Sequence, residues 1–130
     1  VGRGTMYPFQ VLGHPLLKGK FSYSFTPVSI AGMSEEPPHK GQLCYGVDLR
    51  NDDIDSIRST GKIDILWLLK LYQEFPDKEH FFNGYFTKLA GNEQLRRQIE
   101  EGESEEEIRQ SWEPGLSRFK MMRKKYLLYK

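Results

Sequence analysis

Residues 37–50 read Pro37-Pro38-His39-Lys40-Gly41-Gln42-Leu43-Cys44-Tyr45-Gly46-Val47-Asp48-Leu49-Arg50, and they join a polar loop directly to an alternating strand. At a period of two, a strand over residues 42–50 carries on one face Leu43, Tyr45, Val47 and Leu49. Its other face carries Cys44, Gly46, Asp48 and Arg50. The pattern predicts that the first face packs in a core. The second face holds a thiol, a bare backbone position and a charge pair, which is typical of the lining of a polar cleft.

The segments before this strand are rich in turns. Glycines and prolines punctuate residues 1–20, where the apolar piece over residues 9–12 predicts one short strand in an extended segment. Further on, Phe21, Tyr23 and Phe25 alternate with small polar residues until Pro27 interrupts the pattern. This alternation predicts a second strand with one aromatic face.

The second half of the chain has the spacing of helices. After a polar, capping-prone stretch over residues 51–60, apolar positions nearly encircle a helix over residues 62–75, so we expect a central buried helix there. Asn92 suits the start of a helix that reaches Glu101, and Gly102 suits its left-handed stop.

Two signals mark the C-terminal helices. Residues 104–107 read Ser-Glu-Glu-Glu, a capping-box signature, and Pro114 suits the first turn of a last helix. We expect Trp112 to pack between the last two helices. Strands first and helices later predict an α+β fold, in which a small sheet from the N-terminal half packs against helices of the C-terminal half.

Composition narrows the class of protein. A chain of 130 residues suits a single domain with a modest core, and no apolar run approaches the length of a membrane span. The net charge of +1 gives no global field that would select nucleic acid or an anionic membrane. The single cysteine excludes an internal disulfide, and no metal-ligand spacing is visible, so we expect neither metal nor cofactor.

Several short motifs follow one another in a distinctive order. The chain carries, in order, Val1-Gly2-Arg3-Gly4-Thr5, Pro8-Phe9-Gln10, Phe25-Thr26-Pro27, Gly41-Gln42-Leu43-Cys44, Leu89-Ala90-Gly91, Ser111-Trp112 and Tyr126-Leu127-Leu128-Tyr129. This ordered set resembles the C-terminal domain of the bacterial exo-β-N-acetylmuramidases, a family of peptidoglycan glycosidases. The resemblance runs almost end to end. Family members are longer and have a larger N-terminal Rossmann-like domain that this sequence lacks, so residues 1–130 are expected to be one domain of a two-domain enzyme.

The resemblance implies hydrolysis of terminal N-acetylmuramic acid from the non-reducing end of peptidoglycan fragments, in a periplasmic or extracellular bacterial setting. The proposed acid catalyst of the family lies in its N-terminal domain. Glycosidases need two carboxylates about 5–9.5 Å apart across the scissile bond. The acidic residues of this chain instead lie mostly in charged clusters that are typical of a solvent-exposed surface. We therefore predict no catalytic residue here and expect the chain alone to be inactive, with the N-terminal domain and muramic acid saccharides as its partners.

The expected role of this domain is to form one wall of the substrate cleft. Arg3 offers a planar fork of donors that suits the lactyl carboxylate of muramic acid, and Thr5 lies in the same glycine-rich motif. A linker is the simpler interpretation of such glycines, but the resemblance favours binding. His39 and Lys40 lie in a loop that the resemblance places near the cleft, where a histidine can donate hydrogen bonds or transfer protons.

Aromatic rings that stack on sugars are a second means of binding. Phe9, Tyr45 and Tyr85 are candidates for the cleft, whereas Trp67, Tyr72 and Phe75 on the apolar helix are expected to pack. The predicted substrate-binding set is Arg3, Thr5, Phe9, His39, Lys40 and Tyr45. Cys44 is expected to be a small buried filler, and Asp48 and Arg50 are expected to pair with each other.

Two alternatives remain open from sequence. The basic tail over residues 120–125 is compatible with a module that binds an anionic polymer, although its cations also fit the solvated face of an amphipathic helix. A structural domain that packs on a catalytic partner without touching sugar is the other alternative.

Overall fold

The computed structural model describes residues 1–129, which form an α+β fold with a small sheet in the N-terminal half and helices in the C-terminal half. This confirms the predicted class. The chain divides into two compact units, Val1–Phe81 and a second that begins at Phe82. Each unit is described by itself.

The first unit is built on three antiparallel strands in the order β1-β3-β2. Strand β1 is Val11–His14, β2 is Tyr23–Phe25 and β3 is Cys44–Asp48, so the strand predicted over residues 42–50 is the central one. In the β1–β3 pairing, Gly13 lies opposite Gly46, and a Cβ at Gly46 would lie 1.8 Å from the Leu12 carbonyl oxygen. The centre of the sheet is therefore closed to any side chain at this position.

Strand β3 does not divide into a core face and a cleft face as its alternation predicts. Leu43, expected in the core, is 48% exposed. Cys44, on the face expected to line a cleft, is buried, as is Gly46. Both faces of this central strand carry buried residues, Val47 on the first and Cys44 on the second, whereas the alternation assumes that one face is exposed to water. The buried-filler prediction for Cys44 is confirmed, and burial raises the pKa of its thiol.

Two helices complete the first unit. Helix α1, Ile54–Ser59, was not predicted; it begins where the Asp53 carboxylate accepts hydrogen bonds from the Asp55 and Ser56 amides. Helix α2, Leu66–Glu74, is shorter than the predicted helix because the Asp64 side chain caps the Leu66 amide.

The prediction that this second helix is central and buried is wrong. None of the residues in α2 is fully buried, and Leu66 is 55% exposed. Only the flanking residues Ile65 and Phe75 are buried. Trp67, Leu68 and Leu71 of α2 line an open groove.

The second unit is helical. It contains α3, Phe86–Ala90, α4, Gln94–Glu101, and α5, Glu105–Arg123, and its buried apolar side chains are Phe82, Ile99 and Ile108. As predicted, the Asn92 side chain caps the first turn of α4, Gly102 ends it at a φ of 80°, and Ser104 and Glu107 form a capping box.

The prediction of a helix that starts at Pro114 is wrong, because α5 continues through Pro114 to Arg123. A proline in a helix interior removes one backbone hydrogen bond but does not always end the helix. Trp112 accordingly lies within one long helix and not between two. The Arg109 guanidinium lies 5.9 Å from the centre of its ring.

Candidate functional site

The N-terminal motif folds into a tight loop. Gly2 and Gly4 have φ angles of 67° and 75°, where a side chain is strained, and a Cβ at Gly4 would lie 2.5 Å from Pro37 Cγ. The Thr5 hydroxyl donates to the Gly2 carbonyl oxygen at 2.7 Å and accepts from the Tyr7 amide at 3.0 Å. Both hydrogen-bonding functions of the Thr5 hydroxyl are therefore used in holding this loop.

Backbone hydrogen bonds join this loop to the loop that precedes β3. The Val28 amide donates to the Gly4 carbonyl oxygen, and the Gly41 amide donates to the Pro27 carbonyl oxygen, both at 2.8 Å. The segment after β2 therefore ties the first motif to residues 37–41. Three parts of the sequence that are distant along the chain are thus held together.

A small pocket opens where these loops meet. Its volume is about 60 Å³, and its lining includes Arg3, Phe25, Pro38, His39 and Cys44. This volume accommodates a few water molecules or one carboxylate group but not a sugar ring. The pocket brings together two of the predicted binding residues, Arg3 and His39.

His39 is held in an unusual backbone conformation. Its φ is 60°, and among residues 1–129 the only other non-glycine residue with a positive φ is Phe9, at 64°. Such angles cost free energy and are concentrated at binding and catalytic sites. Both residues belong to the predicted binding set, and Phe9 is 73% exposed.

His14 is a site residue that sequence reasoning missed. Its ring meets His39 edge to face with the centroids 4.3 Å apart, and it meets Phe75 in the same way at 4.8 Å. Its Nδ1 accepts from the Leu16 amide at 3.1 Å, and burial, followed by the charge of His39, lowers its pKa. Only its place before Pro15, at a strand end, could have drawn attention to it.

The remaining predicted residues are placed as follows. Lys40 pairs with Glu36 at 2.7 Å on the exposed side of the loop. Tyr45 is half-buried and lies opposite His14 in the sheet. Tyr85 belongs to the second unit, at the start of α3, and is 59% exposed.

The predicted pairing of Asp48 and Arg50 is confirmed. Two hydrogen bonds at 2.8 and 2.6 Å join the guanidinium to both carboxylate oxygens, and hydrogen bonding to Arg50 lowers the pKa of Asp48. The Arg50 guanidinium also lies 4.0 Å from the ring centre of Tyr7. Arg50 therefore fastens the N-terminal loop to the end of β3, and Tyr7 is a contact that sequence reasoning missed.

A larger, apolar groove lies beside the small pocket in the first unit. Its volume is about 610 Å³. Strand β1 and its neighbours contribute Leu12, His14 and Leu17, α1 contributes Ile54 and Ile57, and α2 contributes Trp67, Leu68 and Leu71. Among its lining residues, the polar side chains are His14, Asp52, Asp64 and His80. Trp67 and Phe75 thus border an open surface as well as packing.

Residues 1–129 show neither a cluster of metal ligands nor a membrane-spanning helix. Histidine, cysteine and carboxylate side chains do not gather there in groups of three that could hold a metal ion. In the same part of the chain, none of the helices combines the length and the apolar character needed to cross a membrane.

The fold and site define an α+β domain that presents a small pocket, bordered by Arg3 and His39, beside a larger apolar groove. Residues 1–129 match the family described as exo-beta-N-acetylmuramidase NamZ, C-terminal, and the chain belongs to this family. The resemblance seen in the sequence motifs is confirmed.

Two relatives are much longer than this chain, which matches only part of each. The chain is 39% identical over 139 residues to the peptidoglycan beta-N-acetylmuramidase NamZ of Bacillus subtilis (strain 168), covering 98% of this chain and 33% of that protein. It also matches the crystal structure of a DUF1343 family protein from Bacteroides fragilis NCTC 9343, with a TM-score of 0.89 and 42% identity, over 99% of this chain and 36% of that one. The chain thus spans about a third of the length of these relatives.

Proposed function

We propose that this domain forms one wall of the substrate cleft of an exo-β-N-acetylmuramidase, which releases terminal N-acetylmuramic acid from the non-reducing end of peptidoglycan fragments. The catalytic acid lies in a preceding Rossmann-like domain. The enzyme acts on the cell wall in the periplasm or outside the cell. Membership of the family and the similarity to NamZ support the reaction class.

The observation that carries the cleft role is the pocket shared by Arg3 and His39. Its volume of about 60 Å³ fits a carboxylate, which is the group that distinguishes muramic acid from N-acetylglucosamine. An arginine fork binds a carboxylate through two parallel hydrogen bonds. The lactyl carboxylate therefore enters this pocket while the sugar ring stays outside it.

Phe9 supplies the surface for the sugar ring. Its exposed ring is held on a strained backbone at the end of the N-terminal loop, where a glycine would be easier to accommodate. Aromatic side chains present large, rigid apolar faces. Thr5 holds the loop that presents both Arg3 and Phe9.

The reaction is tested with 4-nitrophenyl β-N-acetylmuramide, comparing the 130-residue chain with the longest product of its gene. We expect nitrophenol release only from the longer form, because the chain contributes substrate contacts and not the acid. Nitrophenol release by the 130-residue chain would show that the catalytic carboxylate lies in this domain. A longer form that is folded but inactive on this substrate would contradict the proposed reaction.

A structural domain that never touches sugar is the competing function, and Arg3→Ala in the longer form separates the two. If Arg3 binds substrate, activity falls while the protein stays assembled and equally stable. An unchanged activity supports the structural alternative. Arg118→Ala, which alters an exposed arginine of α5 in the second unit, is the matched control.

A further inference from the structure

The apolar groove of the first unit is poorly suited to a saccharide. Its wall from α1 exposes Ile54 and Ile57, at 65% and 41%, and its wall from α2 presents Trp67 and Leu68. Sugars need several hydrogen-bonding groups, whereas these side chains offer almost none. Continuous apolar surface of this kind marks a site that another protein segment covers.

We propose that this groove is the docking surface for an apolar segment of the larger N-terminal part that the relatives carry. The inference rests on the proposed function, because the domain then works as the C-terminal part of a longer enzyme. Covering the groove would remove the exposed isoleucines Ile54 and Ile57 from water, and burial of apolar surface favours association.

The relatives and the geometry favour this occupant. The chain covers 33% and 36% of the two relatives, and the family is described as C-terminal, so most of a relative's chain precedes this domain. Val1 lies where the groove and the small pocket adjoin, since it lines both. A polypeptide joined to Val1 therefore leaves from the edge of the groove, and such a tether raises the local concentration of the neighbouring segment.

The charges at the groove define the partner further. Asp52 and Asp64 are among its lining residues, and Asp64 uses one carboxylate oxygen to cap α2. Lysine or arginine residues that flank an apolar segment complement these carboxylates. The expected partner is thus an apolar helix or strand with basic flanks.

Hydrogen exchange measured by mass spectrometry tests the proposal on the 130-residue chain and on the longest product of its gene. We expect peptides within residues 52–71 to exchange more slowly in the longer form. The double variant Ile54→Glu/Ile57→Glu removes this protection, and since both side chains are exposed it leaves the 130-residue chain folded. Met33→Glu, at a residue that is 55% exposed and outside the groove lining, retains the protection.

The outcomes distinguish the occupants. Equal exchange in both forms, or protection that survives the double variant, overturns the proposal, as does a gene product with no upstream part. Protection in the 130-residue chain that grows with its concentration identifies a second copy as the occupant and also overturns it. Nitrophenol release from the muramide, measured on the same samples, reports on the proposed function separately: docking without hydrolysis contradicts that function alone.

Discussion

The rings of His14 and His39 meet edge to face with their centroids 4.3 Å apart, joining the end of β1 to the loop that precedes β3. His14 borders the apolar groove and His39 borders the small pocket. The two imidazoles therefore lie where the two cavities adjoin.

The burial of His14 makes the stability of the fold depend on pH. Burial, and then His39, lowers the pKa of His14 below its ordinary value of 6.5. Since the unfolded chain binds this proton more readily, the contribution of His14 is fully present above about pH 6.5 and is lost as the pH falls towards its folded pKa. We expect His14→Asn, which can still accept from the Leu16 amide but does not titrate, to flatten this decline in the free energy of unfolding.

The measurement is urea unfolding of both proteins between pH 8 and pH 5, values chosen to bracket the ordinary histidine pKa of about 6.5. Asp52, Asp64 and His80 also line the groove, and His80 titrates with the opposite sign because its hydrogen bond to Asp77 raises its pKa. Their effects are common to both proteins and cancel in the difference. Parallel stability curves for the two proteins would contradict the assignment.

A second prediction concerns the close approach of the two loops. Gly4 and Gly41 have φ angles of 75° and 74°, but only Gly4 lies against other atoms, with Pro37 2.5 Å from an added Cβ. Gly41→Ala should cost about 1–2 kcal/mol from the left-handed backbone alone. Gly4→Ala should cost about 1–3 kcal/mol more because the loops are forced apart. Equal losses in denaturant unfolding would show that the loops do not meet as described.

A third prediction separates binding from folding at Phe9. Phe9→Gly relieves the strained backbone but gives the unfolded chain more freedom, so the free energy of unfolding should change by less than about 1 kcal/mol. In the longer form, the loss of the exposed ring should raise KM for the muramide. A stability loss of several kcal/mol with an unchanged KM would assign Phe9 to packing instead.

A fourth prediction concerns the proline inside α5. Pro114 lacks the amide that would donate to the Gln110 carbonyl oxygen, and proline in a helix interior costs about 3 kcal/mol relative to alanine. Pro114→Ala should therefore slow hydrogen exchange over residues 110–122 and raise helicity. Ser117→Ala, at an exposed position of the same helix, should give a gain of only about 0.5 kcal/mol. Faster exchange in Pro114→Ala would contradict a continuous helix.

The features that could be predicted from sequence are those fixed by local interactions. The presence of strand β3, the Asn92 cap, the capping box and the Asp48–Arg50 pair each depend on residues within a few positions of one another. The family resemblance added Arg3 and His39 to the predicted binding residues, and the structure brings both to one pocket.

The features that could not be predicted depend on distant parts of the chain. The His14–His39 contact joins residues that no local pattern links, and Tyr7 meets Arg50 only after the N-terminal loop closes on the sheet. The apolar pattern of α2 is the same whether its surface is buried within the domain or left facing a groove. The continuation of α5 through Pro114 shows that a proline signal gives a possible boundary and not a certain one.

The most direct test of the account concerns Arg3 and the lactyl carboxylate. In the longest product of the gene, kcat/KM is measured for 4-nitrophenyl β-N-acetylmuramide and for its lactyl carboxamide, with Arg3 intact and with Arg3→Ala. A hydrogen bond to a charged group contributes about 1.5–3 kcal/mol, which corresponds to a preference of roughly 10- to 150-fold for the carboxylate. The account predicts this preference with Arg3 and its loss in Arg3→Ala, with the carboxamide hydrolysed equally by both. An equal drop on both substrates, or a preference that survives the substitution, would contradict a carboxylate site at Arg3.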